Sequence, residues 1–293
     1  MKWNEIDLLV SPEATDLVAL LLYECGSNGS IIHDEETDEW GRIRITAYFP
    51  PEQGDAAEQV RHRMTELAAR DETLSNWQLV QQEADDQSWL YAWQKHFHPK
   101  KISRTFWAEP SWEKAAPAPG EQTLTIDPGL AFGSGFHVTT CMCVQYLEQA
   151  VQPGDVVFDI GTGTGILAIA AAKLKAAHVV AVDFDEKAVV QAKHNAALNG
   201  VADAITVANS DLLAAVSHEE AKADVVVANL VTNAVLMLLP SLPAYMKPNA
   251  VCIASGIIDE RIEEVRQAAA AAGFAWEDER LQQGWYAVTM RRL

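Results

Sequence analysis

Apolar and polar positions in residues 1–83 follow both alternating and helical periods. The apolar spacing predicts six elements: strand 3–10, a helix opened by Ser11 and Pro12, strands near 30–33 and 42–49, a helix over 51–71, and strand 76–83. The prediction of the first helix depends on Leu17, Leu20 and Leu21, whose spacing places them on one helical face. The resulting order, βαββαβ, is typical of a ferredoxin-like α+β domain.

From about residue 123 onward, short apolar runs alternate with stretches long enough for helices. Five runs have the length and composition of buried strands, namely VVFDIG, HVVAVDFD, ITVANS, DVVVANL and AVCIASG. The last two segments, FAWEDERLQQG and WYAVTMRRL, predict a terminal hairpin. Residues 123–293 are therefore expected to form a doubly wound α/β domain with a seven-stranded sheet.

Residues 84–122 are expected to connect the two domains. In a predicted linker helix, an aromatic residue recurs on one face at Trp89, Trp93 and Phe97. The Pro- and Ala-rich stretch 115–122 predicts a surface loop. His96 and His98 are two residues apart and point to different sides of a helix, so we expect no metal site here.

The chain is strongly acidic, with a formal net charge of -19. Residues 1–80 hold 16 Asp and Glu against 6 Lys and Arg. Such a surface repels phosphate backbones, so we expect a basic partner and no direct binding to nucleic acid; the alternative is that the charge serves solubility alone. The four cysteines form no paired zinc pattern, and the sequence shows neither an export leader nor an apolar run of membrane-spanning length. A cytoplasmic protein is expected.

The strongest local signal is VVFDIGTGTGILAIAAAKL, in which a buried strand continues through three glycines into a helix. Gly161 and Gly163 allow the backbone to approach a cofactor at the helix N-terminus. A dinucleotide fingerprint would need a glycine at position 166, where the chain has Ile166. Asp159 in the strand would oppose a pyrophosphate and attract an ammonium or sulfonium group, so the motif favours a cationic cofactor.

Two further acids follow the next two strands. Asp183 lies 22 residues beyond Gly161, where a carboxylate can accept both hydroxyls of a ribose. This position predicts that the ligand contains a nucleoside, but it does not distinguish one nucleoside cofactor from another. Asp211 is a candidate acceptor for an adenine amino group, and the alternative is an N-cap for a helix in LLAAV.

The stretch LAFGSGFHVTT, residues 130–140, combines glycines with candidate ligand contacts. Ser134 lies directly between two glycines, whereas a nucleophile elbow has the pattern G-x-S-x-G, so we do not expect a hydrolase. Phe132 either covers the cofactor or belongs to the core, and His137 either contacts the ligand or braces the loop. Thr139 and Thr140 are candidate cofactor contacts, with capping of the following helix as the alternative.

The succession DxGxGxG, strand-end Asp, NSDLL and VVANL resembles the class I S-adenosylmethionine-dependent methyltransferases. This resemblance implies that Asp159 and the glycine turn hold the methionine and sugar parts of the cofactor, and that Asp183 binds the ribose. It also implies that Asn229, after the fourth strand, faces the methyl acceptor. With WxxxWxxxFHP, DPGLAFGSGFHVTT and SGI included, essentially the whole chain is similar to the ribosomal protein L11 methyltransferase family.

The family resemblance implies that residues 1–83 recognise the substrate and that the loop matching 128–140 closes over the cofactor. It implies methylation of the N-terminal α-amine and lysines of a large-subunit ribosomal protein, without a metal. We expect Asn229 and His137 to take part in catalysis and the protein to be a monomer. The alternatives are a class I methyltransferase acting on RNA or a small molecule, and a cofactor-binding module without turnover.

Overall fold

The structure, a computed structural model, comprises two compact units, Met1–Phe97 and His98–Leu293. It describes residues 2–27, 30–50, 53–69, 71–85, 98–127, 137–216 and 222–293. Three groups of predictions lie outside the described residues: the linker helix with Trp89 and Trp93, His96, and Phe132 with its loop 128–136. Each unit has its own hydrophobic core.

The described part of the first unit combines four strands with two α-helices. In chain order these are β1 (Lys2–Val10), α1 (Thr15–Glu24), β2 (Ser30–Thr37), β3 (Ile43–Phe49), α2 (Ala56–Ala68) and β4 (Gln78–Asp85). The sheet is antiparallel with the order β2-β3-β1-β4, which confirms the predicted ferredoxin-like arrangement. Alternate residues of β1, such as Ile6 and Leu8, are fully buried in one cluster with Leu22 of α1 and Met64 of α2.

The second unit begins with a small sheet that the sequence pattern did not predict. Its strands are β5 (Lys100–Lys101), β6 (Phe106–Glu109) and β7 (Gln122–Thr125). Phe106 and Leu124 are fully buried in the same core cluster as Met142 and Leu147 of the following helix. Part of the stretch assigned above to a connecting segment, 98–122, is therefore integral to the second unit.

The remaining elements of the second unit form a doubly wound α/β domain. They are α3 (Val138–Ala150), β8 (Val156–Ile160), α4 (Ile166–Lys173), β9 (His178–Asp183), α5 (Glu186–Leu198), β10 (Ile205–Asn209), β11 (Ala223–Asn229), α6 (Thr232–Leu238), β12 (Met246–Ile258), α7 (Ile262–Ala271), β13 (Phe274–Gln282) and β14 (Trp285–Arg292). The seven strands have the order β10-β9-β8-β11-β12-β14-β13. Strands β8 to β12 are parallel, and β14 pairs antiparallel with both β12 and β13. The predicted seven-stranded sheet and terminal hairpin are confirmed.

The centre of this sheet positions the site. Successive residues of β8 face opposite sides, so that Val157 and Phe158 belong to two different core clusters. Strand β8 lies between β9 and β11, and the chain therefore moves away from it in opposite directions along the sheet. In open α/β sheets, ligands bind in the crevice at the carboxyl ends of strands where the strand order reverses in this way. Asp159, Asp183 and Asn229 all lie at this edge.

Candidate active site

Three glycines shape the turn between β8 and α4. Gly161, Gly163 and Gly165 have φ angles of 74°, 54° and 84°, in the left-handed region that side chains disfavour. A Cβ on Gly161 would lie 2.2 Å from Cδ2 of Leu230. The amides of Gly161 and Thr162 both donate to the carbonyl of Val182, at 2.8 and 2.9 Å. The turn is therefore held against the end of β9 and leaves backbone close to any molecule in the crevice.

Asp159 is a fully buried acid directly beneath this turn. Its Oδ2 accepts hydrogen bonds from Oγ1 of Thr162 at 2.6 Å and from the amide of Ala168 at 3.0 Å. Its Oδ1 is buried and has no partner among the described residues. Burial is the largest influence and raises the pKa, the two hydrogen bonds lower it and the charge of Asp183 raises it, and the net pKa is about 7. Ionising this buried carboxyl therefore costs free energy, and a cationic ligand nearby would stabilise the carboxylate.

Asp183 ends β9 and its carboxylate is held by two backbone amides. The amide of Gly163 donates to Oδ2 at 2.8 Å, and the amide of Asp185 donates to Oδ1 at 3.0 Å. Each oxygen keeps a second lone pair that a ribose hydroxyl could use. The bond from Gly163 attaches Asp183 to the same turn whose Thr162 bonds Asp159, so both acids belong to one site.

Phe184 is a residue of this edge that the sequence interpretation missed. It follows Asp183 directly, and 74% of it is exposed. The Asn209 side chain donates to the carbonyls of Asp183 and Phe184, at 3.1 and 2.8 Å, and so orders the turn that presents the ring. An exposed aromatic ring next to a candidate ribose ligand offers a flat face for a base. An aromatic residue immediately after a strand-end acid was the signal available in the sequence.

Asp211 follows β10, and its side chain is exposed. The alternative interpretation of Asp211, an N-cap for a helix in LLAAV, is wrong because residues 211–215 form turns and no helix. Ser210 closes these turns, since its Oγ accepts from the amide of Ala215 and donates to the carbonyl of Leu212, both at 2.9 Å. The carboxylate of Asp211 shares no hydrogen bond with Asp159 or Asp183, so its role toward an adenine stays a prediction.

His137 follows the loop 128–136 and caps α3. Its Nδ1 lies 2.7 Å from Oγ1 of Thr139 and accepts from the amide of Thr139 at 3.4 Å. Its ring packs edge-on against Trp285, with centroids 5.6 Å apart. The interpretation of Thr139 or Thr140 as the cap is therefore wrong, because the backbone of His137 is extended and both threonines lie inside the helix. Both threonines are buried.

Asn229 ends β11 and faces α3. Its Nδ2 donates to Oγ1 of Thr140 at 3.3 Å, which orients the carboxamide and leaves Oδ1 as its acceptor. The next residue, Leu230, is enclosed by glycines. A Cβ on Gly256, whose φ is 79°, would lie 2.2 Å from the carbonyl oxygen of Leu230, and Gly161 is just as close to its side chain. The glycine of the SGI motif thus fixes the position of Leu230 and of the neighbouring Asn229.

The predicted site residues divide into three groups. The glycine turn brings together Asp159, Gly161, Gly163 and Asp183, since Thr162 of the turn bonds Asp159 and Gly163 bonds Asp183. The start of α3 brings together His137, Thr139, Thr140 and Asn229, through the bonded pairs His137–Thr139 and Thr140–Asn229. Asp211 belongs to neither set, and Phe132 lies outside the described residues. The buried, unpaired Oδ1 of Asp159 and the held carboxylate of Asp183 fit a cofactor that carries a positive charge and a ribose.

In the part of the chain that the structure describes, every helix is too short or too polar to span a membrane. No group of three or more His, Cys, Asp or Glu there could hold a metal ion.

Comparison with known proteins gives one consistent family. Residues 2–293 match the profile described as "Ribosomal protein L11 methyltransferase (PrmA)". Curated ribosomal protein L11 methyltransferases from Geobacillus kaustophilus and Caldanaerobacter subterraneus subsp. tengcongensis are 38% and 36% identical, over 98% and 100% of this chain and 98% and 99% of theirs. A solved ribosomal protein L11 methylase from Lactobacillus delbrueckii subsp. bulgaricus is 34% identical, with a TM-score of 0.63, and covers 67% of this chain and 100% of its own. The chain therefore belongs to the ribosomal protein L11 methyltransferase family.

Proposed function

We propose that this protein transfers methyl groups from S-adenosylmethionine to amines of ribosomal protein L11, namely its N-terminal α-amine and lysine side chains. The observation that carries the proposal is the match of the whole chain to this family, together with the hydrogen bonds by which the glycine turn holds both Asp159 and Asp183. We further propose that it acts as a monomer in the cytoplasm, and its net charge of -19 argues against direct contact with nucleic acid.

The residues at the sheet edge fit this cofactor. Asp183 would accept the ribose hydroxyls, and Asp159 would lie toward the charged methionine part. Phe184 offers a face for the adenine, and Asp211 an acceptor for its amino group. When bound, the cofactor supplies a methyl group made electrophilic by the sulfonium, so the protein's remaining task is to present a neutral amine in line with it.

Asn229 is the residue we propose for orienting that amine. Its Oδ1 can accept a hydrogen bond from the amine and so direct the nitrogen lone pair. His137 and Thr140 hold the neighbouring start of α3, and we propose that His137 borders the same space. An α-amine with a pKa near 8 is partly neutral at pH 7, whereas a lysine near 10.4 costs about 4.6 kcal/mol to deprotonate. Desolvation next to a cation lowers that cost. Each further methyl transfer requires the amine to lose another proton. A route by which the proton reaches water serves such repeated transfers better than a single fixed base.

The first unit, residues 1–83 with the start of the linker, is proposed to recognise the protein substrate. Its α1 exposes Leu17 and Leu20 by 38% and 53%, and both line a groove of about 220 Å³ together with Leu67 of α2. Exposed apolar residues grouped in this way are typical of a protein-binding surface. The acidic excess of residues 1–80 would attract a basic protein, which is the kind of partner that the charge of the chain predicts.

Substituting Leu20 tests this surface. In Leu20→Asp, we expect the KM for ribosomal protein L11 to rise by about fivefold or more, while the dissociation constant for S-adenosylmethionine stays unchanged. Leu281→Asp is the matched control, because Leu281 is 47% exposed on β13 of the second unit. Equal KM values for the two variants would contradict a recognition role for the α1 surface.

The function itself is tested by intact-mass spectrometry of unmodified ribosomal protein L11 after incubation with the protein and S-adenosylmethionine. Mass increases in multiples of one methyl group, absent without cofactor, are the expected result, and fragmentation would locate the amines. Cofactor binding without added mass would discard this substrate and leave RNA or a small molecule as acceptor. Cofactor binding without turnover on any of them would indicate a binding module.

A further inference from the structure

Two asparagines, Asn195 in α5 and Asn199 directly after its last residue, hold the segment that leads into the loop 128–136. Oδ1 of Asn199 accepts from the amide of Thr125 at 3.0 Å, and its Nδ2 donates to the carbonyl of Thr125 at 2.7 Å. Oδ1 of Asn195 accepts from the amide of Asp127 at 3.1 Å, and its Nδ2 donates to the carbonyl of Asp127 at 3.0 Å. Each side-chain amide thus pairs with both backbone groups of one residue, as a neighbouring β-strand would.

The spacing of the two asparagines explains this pairing. Four residues of an α-helix rise by about 6.0 Å, and two residues of a strand by about 6.6 Å. Asn195 and Asn199 therefore match Thr125 and Asp127, which present their backbone groups to the same side. Around Asp127 the hold is tighter, because Gln191 also donates to its carbonyl at 2.6 Å and Nε2 of His194 lies 3.3 Å from its carboxylate.

Asn195 differs from Asn199 in one respect. Its Nδ2 also donates, at 2.8 Å, to the carbonyl of Thr164, which lies between Gly163 and Gly165 in the turn over Asp159. Asn195 is fully buried, so these bonds are shielded from water. One side chain therefore joins the cofactor turn to Asp127, the last described residue before the loop 128–136. Only a carboxamide supplies two donors and an acceptor at this place, since a carboxylate would oppose two carbonyl oxygens.

We propose that Asn195 is a positioning residue for methyl transfer: it keeps the glycine turn and Asp127 at one fixed spacing, so that cofactor binding at the turn also stabilises the bonds around Asp127. The inference rests on the proposed function, because it takes the glycine turn as the cofactor site. Asn199 anchors the same strand without contact to the turn, and it serves the fold alone.

The test compares Asn195→Ala with Asn199→Ala in the full chain. Both variants lose two bonds to the backbone of segment 125–127, and Asn195→Ala also loses the buried bond to Thr164, so we expect the thermal midpoint to fall in both and further in Asn195→Ala. The dissociation constant for S-adenosylmethionine, measured by calorimetry, should rise by about fivefold or more in Asn195→Ala and stay within about twofold in Asn199→Ala. We also expect a lower kcat on ribosomal protein L11 in Asn195→Ala only. Equal changes in affinity in the two variants, or none, would overturn the inference.

A second measurement uses the unmodified protein and holds even if Asn195→Ala does not fold. Hydrogen exchange at the amide of Asp127 should slow by about fivefold or more when S-adenosylmethionine is added, while exchange at the amide of Thr125 changes less. Equal responses of the two amides would refute the coupling. Failure of the wild-type protein to methylate ribosomal protein L11, with this difference still present, would count against the proposed substrate and not against Asn195.

Discussion

The substitution Asp159→Asn separates two effects of the buried carboxylate, namely the stability that it costs the fold and the affinity that it gives for the cofactor. The carboxyl has an ordinary pKa of 3.8 and a pKa of about 7 in the folded protein, chiefly because it is fully buried. The folded state therefore binds this proton more tightly than the unfolded state does. Between these two pKa values the folded state carries more protons, so stability falls as pH rises through the window and levels off above about pH 7.

The size of this effect follows from the two pKa values. A difference of roughly 3 pH units corresponds to about 4 kcal/mol in all, of which roughly 2–3 kcal/mol is lost between pH 5 and pH 8. For a unit of this size, that loss corresponds to a fall of about 5–10 °C in the thermal midpoint. Asparagine does not titrate, so the variant lacks this term. Its new amide group takes the place of the unpaired Oδ1, and any cost of burying it is independent of pH.

The assay is thermal unfolding of both proteins without cofactor from pH 5 to pH 8. We expect the stability of the wild type to fall more steeply with pH than that of Asp159→Asn, with the difference between the two changing by roughly 2–3 kcal/mol. Affinity for S-adenosylmethionine should be weaker in the variant, because a cation no longer faces a carboxylate. Parallel stability curves would refute the buried, high-pKa carboxyl. Equal affinities would refute its role toward the cofactor.

Two further substitutions test other parts of the site. In Asp183→Ala, we expect the dissociation constant for S-adenosylmethionine to rise by about tenfold or more with the fold intact, and unchanged affinity by calorimetry would remove Asp183 from the site. In Gly256→Ala, a Cβ would meet the carbonyl of Leu230, so we expect an unfolding free energy lower by about 3 kcal/mol in a urea titration. Gly284→Ala is the control, because Gly284 has a similar φ of 78° and open space around it; an equal loss there would contradict the steric argument.

The fold was predictable to the extent that its signals are local. The strands β8, β9 and β11 show as short apolar runs, and the terminal hairpin shows as two segments joined by a glycine turn. The acids Asp159 and Asp183 were identifiable because each occupies the end of such a run. The small sheet β5-β6-β7 was missed because strands of two to four residues are too short to show a period.

Caps and turns were predicted less well. Thr139 and LLAAV have the composition of a cap and of a helix, yet the structure uses His137 as the cap and closes a turn with Ser210. His137 packs on Trp285, which lies at the far end of the chain. Ser210 closes a turn in which Leu212 has a φ of 47°, a conformation that propensity does not predict for leucine.

The sequence by itself determined the order of the longer strands and helices, the glycine turn and the acids at the strand ends, because hydrophobic period and glycine conformation depend on neighbours along the chain. The tertiary structure decided which polar groups satisfy one another. Asn195 lies 68 residues from Asp127 and 31 from Thr164, and its three hydrogen-bond partners there are brought within reach only when α5 packs beside both segments. A buried polar group requires a hydrogen-bond partner, and the tertiary packing determines which group that partner is.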